Sequence, residues 1–241
     1  MQKRLDVYLS ENNTVKSRSL AASLIKQGSV EVNGRICTKA SFAVDENDNI
    51  RIIGEMPKYV GRGGLKLEKA LSHYRLHLDG SVCIDIGAST GGFTDCMLQN
   101  GAVKVYSVDV GTDQLDEKLR NDPRVVSMEK TDIRNCVGYL PAVDFIGIDV
   151  SFISLKLVLP SAYALLKDGG ECVALIKPQF EAGKSHLSKH GIVRDSKVHK
   201  RVCDDISEFA STLGFERGEV ISSPITGGDG NTEYLIYLRR L

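Results

Sequence analysis

Val82-Cys83-Ile84-Asp85-Ile86-Gly87-Ala88-Ser89-Thr90-Gly91-Gly92-Phe93-Thr94-Asp95 is an apolar run that breaks at glycines and resumes as an amphipathic segment. Val82 to Ile86 reads as a buried parallel strand with Asp85 as its one charge. Gly87 turns the chain, Gly91-Gly92 open a helix over Phe93 to Gln99, and Gly101 stops it. Glycines at a strand-to-helix turn let backbone N–H groups approach a ligand that a Cβ would block. The next strand, Val103 to Val108, ends in Asp109, about twenty residues past the loop, where an acid suits the two hydroxyls of a ribose.

The spacing argues against a dinucleotide. A pyrophosphate needs a second glycine two places after the first. Ser89 stands there, and the pattern is G-x-x-x-G-G. Asp85, two residues before Gly87, would repel phosphate and attract a cation. S-adenosylmethionine has no phosphate and carries an amino group and a sulfonium, so it fits this loop better than NAD. The expected cofactor site comprises Asp85, Gly87, Ala88, Ser89, Thr90, Gly91, Gly92 and Phe93, then Asp109, Val110, Asp132 and Asp149.

Strand and helix patterns alternate around this unit. A helix over Leu65 to Tyr74 precedes it, with Lys66 in its first turn beside Gly63-Gly64. A short helix is predicted over Asp113 to Leu119, and strands over Val125 to Met128, Val143 to Ile148 and Cys172 to Ile176. A helix over Leu155 to Leu166 is expected to close at Gly169-Gly170. Asp195 to Leu213 reads as a long helix with Ile206, Phe209, Ala210 and Leu213 buried. Strands over Glu216 to Ser222 and Glu233 to Arg239 finish the chain. This pattern predicts an α/β, Rossmann-like domain, mostly parallel with an antiparallel edge, whose ligands bind at the carboxyl ends of the strands. Asp149 and Lys177 each end an apolar strand, where a lone charge is costly, so the two are expected to be neighbours. Gln179 to Arg194 has little periodicity and reads as a mobile loop over the site.

Bulk properties exclude several classes. The chain has 241 residues, 42% hydrophobic and 26% charged, with net charge +0. No apolar run approaches the roughly eighteen residues that span a bilayer, and no signal-peptide pattern opens the chain, so a cytoplasmic protein without membrane contact is expected. The six cysteines lack C-x-x-C spacing, and no metal is expected.

Charge is uneven. Over residues 1–40, seven Lys/Arg face three Asp/Glu, a net +4, whereas residues 41–60 carry a net −2. The front reads as a small α+β RNA-binding domain over residues 1–56. A short helix around Leu5 to Leu9 is followed by a second, Arg18 to Gln27, capped by Ser17. Strands follow at Val30 to Val32 and Ile50 to Ile53, with Asn33-Gly34 as a turn. Residues 57–61 form the linker, and 62–241 the larger domain. Arg4-Leu5-Asp6, Ser17-Arg18, Ile25-Lys26-Gln27-Gly28 and Val30-x-Val32-Asn33-Gly34 resemble the RNA-binding domain of a small-subunit ribosomal protein, pseudouridine synthases and tyrosyl-tRNA synthetases. That resemblance makes Lys3, Arg4, Lys16, Arg18, Lys26 and Arg35 the RNA-facing cations, and Arg62 at the entry to the larger domain is grouped with them.

A second resemblance spans essentially the whole chain. Lys66, Asp149, Lys177 and Glu233 match the Lys-Asp-Lys-Glu set of FtsJ-like ribose 2'-O-methyltransferases. Gly61-Arg62-Gly63-Gly64-x-Lys66, the Asp85–Asp95 loop, Asp149-Val150-Ser151-Phe152 and Ile176-Lys177-Pro178-Gln179-Phe180-Glu181 look like the TlyA family in particular. The resemblance implies S-adenosylmethionine-dependent methylation of a cytidine ribose in ribosomal RNA within a ribosomal subunit, and a loop over residues 179–194 that orders on RNA. It implies Lys177 as the base that takes the hydroxyl proton, steadied by Asp149, with Lys66 and Glu233 orienting the ribose. A chain that starts near Arg4 and stops eight residues after Glu233 looks like the short members of the family, which modify the large subunit. The alternatives are an RNA-binding assembly factor without transferase activity, a pseudouridine synthase, and a haemolysin, a label the family also carries.

Overall fold

The computed structural model describes every residue except Met1, Asn13, Lys16, Ser17, Gln27, Glu55 and Met56, and the side chain of Ser19. The Ser17 cap, the Gln27 helix end, RNA-facing Lys16 and the Met56 boundary therefore lie outside the described residues. The chain divides into two compact units, Met1–Met56 and Pro57–Leu241.

In the first unit, α1 (Leu5–Glu11) and α2 (Arg18–Lys26) pack together, burying Leu5, Leu9, Ala21, Leu24 and Ile25 against Val30, Val32 and Val44. Strand β1 (Lys3–Arg4) pairs with β4 (Ala43–Val44), and β2 (Val30–Val32) pairs with both β3 (Arg35–Ile36) and β5 (Ile50–Ile52). Asn33 and Gly34, at φ +52° and +79°, form the two-residue turn of the β2–β3 hairpin.

Asp6, 3% exposed, organises this unit's charge. Its carboxylate accepts from Arg4 at 2.9 and 3.0 Å and from Arg18 at 3.0 Å. Those hydrogen bonds, Arg4's the larger, hold its pKa down to about 2 against the opposing effect of burial. A depressed acid stabilises above its unfolded pKa, so this contribution fades as pH falls from 3.8 to about 2. Both arginines are half exposed, and screening limits the effect to about 1–2 kcal/mol. Asp6→Asn should ease the opening of α1 by that amount at pH 6, read from amide exchange. Unchanged opening would mean the arginines hold α1 without the acid.

In the second unit, α3 (Gly63–Tyr74) is followed by β6 (Val82–Ile86), α4 (Gly92–Gln99), β7 (Lys104–Val108), α5 (Glu117–Arg120), β8 (Val125–Met128) and β9 (Val143–Ile148). Then come α6 (Leu155–Leu165), β10 (Leu166–Ile176), α7 (Pro178–Glu181), α8 (Ser196–Thr212), β11 (Phe215–Ser222) and β12 (Tyr234–Arg240). The sheet order is β11-β12-β10-β9-β6-β7-β8, and β12 alone runs antiparallel to both of its neighbours. Strand side chains alternate between two cores. Ile84, Ile146, Ala174 and Ile236 meet α6 and α8 on one face, while Cys83, Phe145, Val173 and Leu235 meet α3 and α4 on the other. The chain runs outward from β6 to β8, then restarts at β9 on the opposite side, so the switch point lies between β6 and β9.

Three expectations are corrected. The helix expected over Asp113 to Leu119 is only α5, because Glu129 accepts backbone N–H groups of Asp113, Gln114 and Leu115 and keeps that stretch a loop. Gly169-Gly170 do not close α6: the chain turns extended at Leu166, and both glycines lie in an irregularity of β10. In the stripe of α8, Ile206 and Ala210 are fully buried, whereas Phe209 and Leu213 are partly so, and Val198, Val202 and Cys203 extend it.

Candidate active site

Two glycine-rich segments meet because neither carries a Cβ at the contact. A Cβ on Gly92 would come within 2.8 Å of the Gly64 backbone N, and one on Gly61 within 2.5 Å of Thr90 Oγ1. The first turn of α3 is thereby seated against the first turn of α4, which carries Lys66 inward to 8% exposure. Gly87 sits at φ +84°, and a Cβ there would lie 2.6 Å from the Asp149 carbonyl oxygen. The turn after β6 and the end of β9 therefore touch at the switch point.

Four side chains converge there. Asp149 divides its carboxylate between two lysines, Oδ1 lying 2.6 Å from Lys177 Nζ and Oδ2 3.3 Å from Lys66 Nζ. Lys66 Nζ also reaches Glu233 Oε2 at 2.8 Å. The result is a chain of alternating charge, Lys177–Asp149–Lys66–Glu233, whose members are each largely buried and mutually compensating. The Lys177–Asp149 and Lys66–Glu233 contacts are close ion pairs without hydrogen-bond alignment, so Lys177 donates its aligned bond to Ser151 Oγ at 2.8 Å. Ser151 was not singled out from the sequence. Its only signal is its place two residues beyond a strand-ending acid.

Two cavities share this wall. One, of about 280 Å³, is lined by Arg62, Lys66, Asp149, Lys177, the Gly87–Phe93 loop and Ile225–Gly228. Gly227 is needed at its rim, since a Cβ there would fall 2.7 Å from Glu233 Oε1. The other, of about 380 Å³, is lined by Asp109, Val110, Asp132, Ile133 and Phe152, and both share Gly87, Ser89, Asp149 and Ser151. Its volume and its acids suit S-adenosylmethionine. Asp109, at the end of β7, lines this cavity and accepts from Ser89 N and Gly111 N at 2.7 Å each. Asp132 is paired with Arg134 at 2.6 Å, which lowers its pKa.

Asp85 is placed differently from expectation. It is 0% exposed and lines neither cavity, because its Oδ2 turns under α4 to accept Thr94 N and Thr94 Oγ1 at 2.9 and 2.7 Å. Thr94 Oγ1 continues to Ser107 Oγ at 2.8 Å, and Asp85 Oδ1 has no hydrogen-bond partner among the described residues. Burial pushes its pKa up to about 7 in spite of Thr94. A raised acid is stabilising below its unfolded pKa and loses that as pH rises, so the cofactor-free protein should weaken between pH 3.8 and about 7. The loss is about 2–4 kcal/mol. Asp85→Asn should flatten that part of the urea-unfolding profile. A variant that still weakens over this window would clear Asp85 of the effect.

The Gln179–Arg194 segment is more organised than an irregular loop. Glu181 accepts from Ser154 Oγ and Leu155 N, and Asn231, 2% exposed, bonds Val193 N and Gly191 O. His199 links Val193 O to the Tyr234 hydroxyl, one residue from Glu233.

A mostly parallel sheet with a glycine turn at its switch point and an acid at the end of the adjacent strand is a Rossmann-like fold for a nucleoside-containing cofactor. The antiparallel β12 and the family match below narrow it to the S-adenosylmethionine-dependent methyltransferases. The sequence matches FtsJ-like methyltransferases over residues 59–240 and the S4 domain over residues 3–50. The chain belongs to the FtsJ-like methyltransferase family, with an S4 domain ahead of the catalytic unit and S-adenosylmethionine as its cofactor. It is 46% identical, over 98% of its length and 85% of the relative's, to a candidate rRNA methyltransferase of Bacillus subtilis. It is 41% identical to hemolysin A of Brachyspira hyodysenteriae, covering 97% of this chain and 98% of that one. With the 16S/23S rRNA (cytidine-2'-O)-methyltransferase TlyA of Mycobacterium tuberculosis the identity is 38%, over 98% and 89%. Among solved structures, a candidate hemolysin from Streptococcus thermophilus aligns at TM-score 0.78 and 45% identity, covering 99% of this chain and 88% of that one. No helix among the described residues is long and apolar enough to cross a membrane.

Proposed function

We propose that this chain methylates the 2'-hydroxyl of a cytidine ribose in large-subunit ribosomal RNA, with the S4 unit gripping the RNA. The observation that carries it is the buried Lys177–Asp149–Lys66–Glu233 series on the wall shared by the two cavities. The TlyA relatives of M. tuberculosis and Campylobacter jejuni are both named for cytidine-2'-O chemistry, and both names include 23S rRNA.

S-adenosylmethionine, when bound, supplies an electrophilic methyl group. The backbone of the Gly87–Gly92 turn and the acids Asp109 and Asp132 would hold it in the larger cavity. Lys177, charged in the resting ion pair with Asp149, must first release a proton to solvent. Its neutral Nζ then takes the proton of the ribose hydroxyl, while Ser151 and Asp149 keep Nζ in place. Lys66 and Glu233 orient the acceptor ribose and its phosphate. Phe152, 90% exposed at φ +64° with its ring 4.9 Å from Phe180, offers an aromatic face to the target base. In the S4 unit, Arg4 and Arg18 are fixed by Asp6 with their remaining donors exposed, and Lys26 and Arg35 are exposed as well.

Calorimetric titration with S-adenosylmethionine, followed by transfer of labelled methyl to rRNA from a strain lacking the enzyme, tests this reading. The expected product is one ribose-methylated cytidine in 23S rRNA. Label on a base, or cofactor binding with no transfer to RNA, would overturn it.

A further inference from the structure

Positive charge is not confined to the front unit. Residues 184–201 carry six Lys/Arg against the single acid Asp195, a net +5 in a chain of net charge +0. All six cations are exposed. Within the described residues Lys200 alone is paired, with Asp204 at 2.6 Å. Lys184, Lys189, Arg194, Lys197 and Arg201 have no ion pair, in contrast to Lys3, Arg4 and Arg18 of the S4 unit, which are bound to Glu11 and Asp6.

Three of these cations share one helix face. Lys197, Lys200 and Arg201 fall at i, i+3 and i+4 on α8, opposite the buried Val198, Val202 and Cys203. Further along the same helix the exposed residues turn acidic, at Asp204, Asp205 and Glu208, so the positive face is limited to the first two turns. The preceding segment is fastened down by Asn231 and His199. His199 in turn bonds Tyr234, whose neighbour Glu233 holds Lys66. The positive face is therefore linked through hydrogen bonds to Tyr234, the neighbour of Glu233, and its unpaired charges can meet a polyanion without breaking an internal pair.

We infer that the exposed cations of residues 184–201 are a second RNA-binding surface, on the catalytic unit itself, which holds backbone phosphates of the strand entering the site. This rests on the proposal that the substrate is RNA, and it adds a contact surface that is independent of the S4 unit.

The test uses the full chain with the double substitution Lys197→Ala/Arg201→Ala and, as a control, the charge-preserving exchange Lys197→Arg/Arg201→Lys. Binding to rRNA is measured from 0.05 to 0.3 M salt, and methyl transfer is measured separately. The alanine pair should weaken RNA binding about tenfold near 0.1 M salt and reduce the slope of log affinity against log salt by about 2. The control should keep the wild-type slope, and cofactor affinity should be the same in all three. An unchanged slope in the alanine pair overturns the inference and leaves the proposed methylation standing. Wild-type protein that binds cofactor but transfers nothing to RNA sinks the methylation instead, and the salt slopes still decide whether this surface holds RNA.

Discussion

Lys177→Ala should lower methyl transfer to RNA by at least about 10³-fold while cofactor affinity changes little. A positioned general base contributes about 10²–10⁴-fold, and Lys177 lines the smaller cavity and is absent from the lining of the larger one. Folding should survive, because Asp149 retains Lys66 as a partner. The sharper variant is Lys177→Arg. A guanidinium keeps the positive charge beside Asp149 and Ser151 but cannot surrender a proton near neutral pH. Loss of transfer in both variants assigns Lys177 the role of base. Substantial activity in Lys177→Arg would make it an electrostatic clamp, and loss of cofactor binding in either would make it a ligand.

The largest effect on stability belongs to Asp149. Asp149→Ala leaves Lys66 and Lys177, each 8% exposed, facing an emptied position. Uncompensated buried charge costs about 3–5 kcal/mol, which for a unit of this size lowers the melting temperature by roughly 10 °C. Lys66 keeps Glu233, so the stranded charge is that of Lys177. Removing it as well, in Asp149→Ala/Lys177→Met, leaves a neutral Lys66–Glu233 pair and should restore most of the lost stability. If the double variant melts no higher than the single one, charge compensation is not what holds these four residues together, and the cost of Asp149→Ala lies in the lost packing of its side chain instead. Both variants should be inactive, so thermal unfolding separates the explanations where activity cannot.

Much of this was readable along the chain, for reasons local to it. The Val82–Asp95 stretch announced a strand, a turn and a helix because period-two burial, glycine and amphipathic spacing are all near-neighbour properties. Strand-ending acids at Asp109 and Asp149 could be placed at a ligand-binding edge for the same reason. Asp85 was misread because its spacing to Gly87 says nothing of its direction: the side chain dips under α4 to Thr94, a bond made only when the helix folds back over the strand. The helix expected from Asp113 was lost to Glu129, whose carboxylate competes for the same N–H groups from the far end of β8.

Sequence alone therefore determined the two-unit composition, the α/β character of the larger unit and the four charged residues that converge at the end of its sheet. These follow from patterns carried by adjacent side chains and from resemblance. Tertiary structure decided which oxygen of Asp149 meets which lysine, that Ser151 completes the hold on Lys177, and that the cations of residues 184–201, Lys200 apart, are left without ion pairs among the described residues on a segment bonded to Tyr234. Contacts between residues 26 to 83 positions apart depend on strand order and on glycines permitting close approach, and no local pattern encodes either.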